Sequence, residues 1–232
     1  MPELQKLAIL ASATFGIATV ILGLIMLFVF PSSAELSAGF RTPIIAFEFA
    51  KTDADLAFLS GDSAMARLNR KKMNAGHRWD MVFPFAYAGF VALLLLQSVK
   101  RGQYWLALAI PIALLIIPFD LRENTILLAI TNALDNSAST EVLLQELHVA
   151  TWLKWGALGI SIAALAVGSI AEKARLSASL AAVTSLSIAI CWVSGSKPVI
   201  AEAMSAAILL FFFYFSIGSC MQAWKRLPRR GS

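Results

Sequence analysis

Six long apolar runs dominate the chain and leave it few folds other than a bundle of membrane-spanning helices. They read 7–30, 79–99, 104–134, 149–170, 176–195 and 199–224. A helix needs ~20 apolar residues to cross a hydrocarbon core. Only 14% of the residues are charged and 59% are hydrophobic, whereas soluble domains carry about 25% charged residues. We therefore expect one all-α, polytopic membrane bundle of about six transmembrane helices.

The ends of these runs carry further topological signals. All six tryptophans lie at predicted span ends, as in the aromatic belts of membrane proteins: Trp79, Trp105, Trp152, Trp155, Trp192 and Trp224. The apolar core of 7–30 is longer than that of a signal peptide, so we expect an uncleaved anchor. The two cysteines lie in different runs at opposite predicted faces, and we expect no disulfide.

The one long connection, 31–78, separates the first two spans and is expected to be partly helical. Pro43–Ala50 is apolar apart from Glu48, and 52–59 has the pattern of a short capped helix. Both pieces are expected to lie on or dip into the membrane over the bundle. The basic stretch 67–78 contains turn-forming residues and is expected to contact lipid headgroups. We expect membrane lipid rather than nucleic acid as the partner of this surface.

Charge near the span ends suggests an orientation. The short loops and the C-terminal segment, which includes Arg229 and Arg230, favour cytoplasmic termini under the positive-inside rule. The basic stretch 67–78 favours the opposite orientation. We expect an inner-membrane protein with both termini in the cytoplasm.

The second span begins with an unusual polar motif. Asp80, Phe83, Pro84 and Tyr87 share one helix face through their spacing. Pro84 cannot donate a hydrogen bond to the Asp80 carbonyl, which leaves that carbonyl available to another partner. The alternative is that Asp80 caps the helix and Pro84 occupies its first turn.

The third span contains charged residues that are expensive in a membrane. Asp120, Glu123 and Asn124 share one face, two residues after a helix-kinking Pro118. Such a set can bind a cation, hold a shared proton, or bind a metal through Asp120 and Glu123. The alternative is a structural role, in which these carboxylates pair with basic neighbours such as Arg122, Lys154 or Arg78.

The fourth helix carries two further candidates. His148 shares a face with Glu141, Gln145 and Trp152, while Lys154 lies inside the apolar run and is expected to extend toward the membrane interface. Alternating span directions place one set of polar residues at a single membrane side, expected to be extracytoplasmic: Asp80, Asp120, Glu123, His148, Lys154 and Glu202. The long connection, with Glu48 and His77, is expected to cover them. The first, fifth and sixth spans are largely apolar and are expected to serve as scaffold.

The two motifs, D-x-x-F-P-x-x-Y at 80–87 and D-x-x-E-N at 120–124, resemble a group of bacterial multi-pass membrane proteins that pair them. The resemblance covers roughly residues 43–130, including Ala46–Ala50 before the first motif. The resemblance implies that the chain belongs to this group, but it implies no activity.

Three classes of function remain open from the sequence. The first is a polar pocket that binds or passes a cation, a proton or a small amphipathic ligand. The second is an enzyme acting on a lipid or isoprenoid, although no multi-histidine set, G-x-S-x-G, phosphate loop or C-x-x-C is visible. The third is a structural subunit, for which Gly156 and Gly159 offer a helix-mediated oligomer contact.

Overall fold

The computed structural model describes residues 2–32 and 34–226, so Arg229 and Arg230 lie outside the described residues. Over the described ranges the chain is helical and has no strand. The α-helices are α1 (Pro2–Val29), α2 (Pro43–Glu48), α3 (Ala64–Asp80), α4 (Phe83–Lys100), α5 (Ala109–Asp135), α6 (Glu141–Ala171), α7 (Arg175–Val193) and α8 (Pro198–Arg226). Two short 3₁₀ helices cover Asp53–Leu56 and Tyr104–Leu108.

Six helical segments are long and apolar enough to cross a membrane, and α3 with α4 forms one of them. The predicted all-α membrane bundle is confirmed, and the chain is a multi-pass membrane protein. The spanning helices pack in a closed ring in the order α1, α4, α5, α6, α7, α8 and back to α1. Fully buried side chains such as Phe90, Ile162 and Phe211 fill its interior. Both cysteines are free.

The basic stretch 67–78 belongs to α3, so the prediction of a turn-prone segment is wrong. The Ser63 hydroxyl caps α3 by accepting a hydrogen bond from the backbone N–H of Ala66 at 3.1 Å. Arg67 and Arg78 are exposed, but Arg70 is buried. Its guanidinium donates to the carboxylate of Asp135 at 2.5 Å and to backbone carbonyls of the preceding loop. Part of the basic stretch therefore fastens the long connection to α5.

Helices α1 and α8 pack closely at one end of their interface. The Ser216 hydroxyl donates to the Gly16 carbonyl at 3.1 Å. A Cβ atom at position 16 would lie 2.9 Å from that hydroxyl oxygen, so only glycine allows this approach. Seven residues later on α1, a Cβ atom at Gly23 would meet nothing within 4 Å. The two helices are thus in close contact at Gly16 and leave open space at Gly23.

Candidate functional site

Asp80 lies at a break between α3 and α4. Helix α3 ends at Asp80, and α4 begins at Phe83 with Val82 as its N-cap residue. Pro84 occupies the first turn of α4, where its missing N–H leaves no helical hydrogen bond unmade. The sequence alternative is right about Pro84 but wrong about Asp80, which does not cap α4.

One face of α5 supplies three buried polar residues. Asp120, Glu123 and Asn124 are buried together, as their spacing predicts. Arg122 points away and pairs with Glu146 on α6 in an exposed ion pair. Pro118 lies inside α5, which continues through it.

Lys154 is buried among carboxylates, so the prediction that it extends to the membrane interface is wrong. Its ammonium forms an ion pair with Glu123 and lies 3.2 Å from Glu48 Oε2. It also lies 4.2 Å from the centre of the Trp155 ring, a cation–π arrangement. Because these contacts compensate the charge of the ammonium inside the bundle, the Lys154 side chain does not need to extend to the membrane interface.

Helix α2 carries Glu48 into the bundle instead of lying over it. Glu202 on α8 accepts hydrogen bonds from the backbone N–H groups of Arg41 and Thr42 and from the Thr42 hydroxyl, at 2.9, 2.8 and 2.7 Å. At the other end of α2, the Thr151 hydroxyl on α6 donates to the Glu48 carbonyl at 3.3 Å. Burial raises the pKa of Glu48 to about 8, although the neighbouring Lys154 opposes this change.

Four buried residues form a hydrogen-bonded chain. The Tyr87 hydroxyl donates to Asp120 at 2.6 Å, and the Asn124 amide donates to the same carboxylate at 3.2 Å. The Asn124 oxygen lies 3.1 Å from His77 Nδ1. Because an amide oxygen only accepts, Nδ1 is assigned the proton. His77 Nε2 is buried and has no partner among the described residues, and the ring packs against Phe30 and Phe47.

A cavity of about 450 Å³ opens onto this cluster. Its polar floor consists of Glu48, Asp80, Tyr87, Asp120 and Lys154, with Arg41 at the rim. Asp80 is a buried residue, 7% exposed, and no described residue donates a hydrogen bond to its carboxylate. Glu48 Oε2 accepts none either, despite its ion-pair distance to Lys154, and the cavity-lining Trp155 has an unpartnered, buried indole N–H. The Asp80 carboxylate therefore lines the cavity without a donor, while the unpartnered atoms of Glu48 and Trp155 are buried behind the cavity surface.

The apolar walls of the cavity come from helices that the sequence predicts to be scaffold. Residues of α1 and α8 face each other across it: Gly23, Met26, Leu27, Ser205, Ile208 and Leu209. The sequence pattern also predicts Trp155 only as part of an aromatic belt. Its position directly after a charged residue inside an apolar run is the signal that could have identified it.

His148 is not part of the cluster. It is exposed on α6 and lines a separate apolar groove of about 660 Å³ with Trp152 and Trp192. Gly156 faces open space in this groove, while Gly159 contacts Ile188 of α7. Glu202 does not line the cavity, but it accepts hydrogen bonds from Arg41 and Thr42, which do.

The predicted metal ligands already have protein partners. Asp120 accepts from Tyr87 and Asn124, and Glu123 is paired with Lys154. The described residues form no group of three or more His, Cys, Asp or Glu side chains that could hold a metal ion. Comparisons of the chain with protein families, with curated proteins and with solved structures give no match.

Proposed function

We propose that this protein binds a small amphipathic cation in the cavity. The cationic group lies among Asp80, Asp120 and Glu48, and the apolar part lies against α1 and α8. The observation that carries the proposal is the Asp80 carboxylate, which is buried, lines the cavity and has no donor from the described residues. A buried carboxylate without a partner is costly, and a ligand N–H group or cation supplies what it lacks.

The charge of the cluster supports a cationic ligand. Glu48, Asp80, Asp120 and Glu123 are buried around a single buried ammonium, that of Lys154. Several carboxylates in a water-poor site cannot all ionise at once without added positive charge. Protons or a bound cation must supply it. Binding of a cation is therefore coupled to release of protons from this cluster.

A purely structural role fits only part of the cluster. Glu123 does not line the cavity, and its pairing with Lys154 pins α5 to α6. Asp80 and Asp120 face the cavity and are not engaged by a cationic side chain within ion-pair distance in the described chain. One turn farther along α4 and α6, Phe90 and Ile162 are fully buried. This filled interior favours binding over passage through the bundle.

We further propose that the protein lies in an inner membrane, with the start of α1 and the end of α8 on the cytoplasmic side. The cavity then lies at the extracytoplasmic side. The flanking basic residues Lys100, Arg101 and Lys173 support this orientation.

Binding is tested with purified protein in phosphatidylcholine nanodiscs, using radiolabelled dodecylamine and its uncharged analogue dodecanol. Discs without protein give the background partitioning. We expect dodecylamine to be retained in excess of dodecanol. Asp80→Asn should weaken dodecylamine binding at least tenfold, because it removes a buried charge that faces the ligand.

Glu146→Gln is the matched control, since it removes an exposed carboxylate of α6 that does not line the cavity. It should change binding less than twofold. Equal retention of dodecylamine and dodecanol, or no effect of Asp80→Asn, would disprove the proposed function.

A further inference from the structure

Helices α1 and α8 both line the cavity. These helices are in close contact through Gly16 and Ser216, and through a small apolar cluster of Ile9, Ala13 and Ala223. Two turns farther along α1, Gly23 lines the cavity and has free space where a side chain would be. The helices therefore diverge toward the cavity and leave a gap between them.

The gap faces the hydrocarbon region of the membrane. Leu27 and Leu209 line the cavity from opposite sides of the gap, and they are also 63% and 61% exposed on the outer surface of the bundle. Gly23 lies six residues before the end of α1 at Val29, which is about 9 Å along the helix. Side chains that are both exposed and apolar at this depth contact lipid chains.

The part of the cavity next to Arg41 is less suited to entry of a cation than the gap is. Arg41 lines the cavity and is exposed. Its guanidinium repels an approaching cation. The Glu202 carboxylate beside it already accepts hydrogen bonds from the Arg41 and Thr42 backbone N–H groups and the Thr42 hydroxyl.

We propose that the gap between α1 and α8 is a lateral passage, and that the ligand is a lipid-soluble amine with a single alkyl chain. The amine head reaches Asp80 while the chain extends through the gap into the bilayer. This inference rests on the proposed function and adds both the ligand class and the route. The cavity volume of about 450 Å³ is within the range of small-molecule sites.

The route is tested by closing the gap reversibly after the protein has folded. Gly23→Cys in a Cys220→Ser background is reconstituted in phosphatidylcholine nanodiscs and labelled with benzyl methanethiosulfonate, which a reductant later removes. Cys191 is fully buried and is left in place. The same label on Gly156→Cys, in the separate apolar groove, is the matched control.

The probes are dodecylamine and its short homologue butylamine. Labelling at position 23 should lower dodecylamine binding at least tenfold, leave butylamine binding unchanged, and be reversed by the reductant. Labelling at position 156 should change neither. Retained butylamine binding by the labelled protein, and return of dodecylamine binding after the reductant to the level of unlabelled Gly23→Cys, show that the site has folded.

The remaining outcomes overturn the lateral passage. They are unchanged dodecylamine binding after labelling, or loss of both amines together. In both cases the proposed cation site can still stand. If dodecylamine does not bind the parent protein, the proposed function itself fails.

Discussion

Replacing Lys154 with methionine should destabilise the bundle strongly. The Lys154 side chain is 4% exposed, and its partners Glu123 and Glu48 are 0% and 8% exposed. Removing one member of a buried ion pair leaves an uncompensated charge and costs about 3–5 kcal/mol. For a chain of this length, 1 kcal/mol corresponds to roughly 2–4 °C in Tm. We therefore expect Lys154→Met to lower Tm by about 6–20 °C.

The measurement is thermal unfolding in dodecyl maltoside, followed by tryptophan fluorescence. Arg122→Gln is the control, because its ion pair with Glu146 has side chains that are 59% and 44% exposed. Exposed pairs contribute less than about 1 kcal/mol, so its Tm should fall by less than ~4 °C. Adding Glu123→Gln to Lys154→Met should restore at least half of the loss, since no unpaired charge remains at position 123. A fall in Tm for Lys154→Met no larger than that for Arg122→Gln would refute the reasoning.

Two further predictions concern packing and pH. Gly76→Ala places a Cβ atom 2.2 Å from the Phe30 ring, so unfolding measurements should show a loss of about 1–3 kcal/mol. Gly156→Ala meets nothing within 4 Å and should be neutral or stabilising by up to about 1 kcal/mol; equal effects of the two would contradict the packing argument. The pKa of Glu48 is raised from 4.5 to about 8 by burial, with Glu123 and Asp120 adding to the rise and Lys154 opposing it. The folded state therefore holds this proton more tightly, and the stability it contributes is complete below pH 4.5 and is lost as pH rises through about 8. Tm measured between pH 5 and 9 should fall with rising pH, and less steeply in Glu48→Gln; parallel slopes would count against this role of Glu48.

The membrane spans and one face of the site can be predicted from local sequence patterns. Long apolar runs predict the spans because length and hydropathy are properties of each segment alone. The shared face of Asp120, Glu123 and Asn124 follows from helical periodicity in the same way. In both cases the information lies within a few turns of one helix.

The remaining parts of the site depend on partners that are distant in sequence. Lys154 stays buried because Glu123 and Glu48 reach it from α5 and α2, and no local pattern shows either contact. His148 and Lys154 lie six residues apart on α6, so their side chains point about 120° apart. The packing of α6 between α5 and α7 then decides that Lys154 faces the bundle and His148 faces outward. The gap at Gly23 depends on the angle at which α8 packs against α1, and apolar composition does not specify that angle.

The position of Glu48 sets an order for biosynthesis. The residue that holds its backbone, Thr151, is 103 positions farther along the chain, and Lys154 follows three residues later. At ~5–20 residues per second, the ribosome needs about 5–20 s to make the intervening segment. During that time α2 has no binding site in the bundle, and the Glu48 carboxylate must stay hydrated or protonated outside it. Docking of α2 against Thr151 and Lys154 is therefore a late step of assembly, which follows the synthesis of α6.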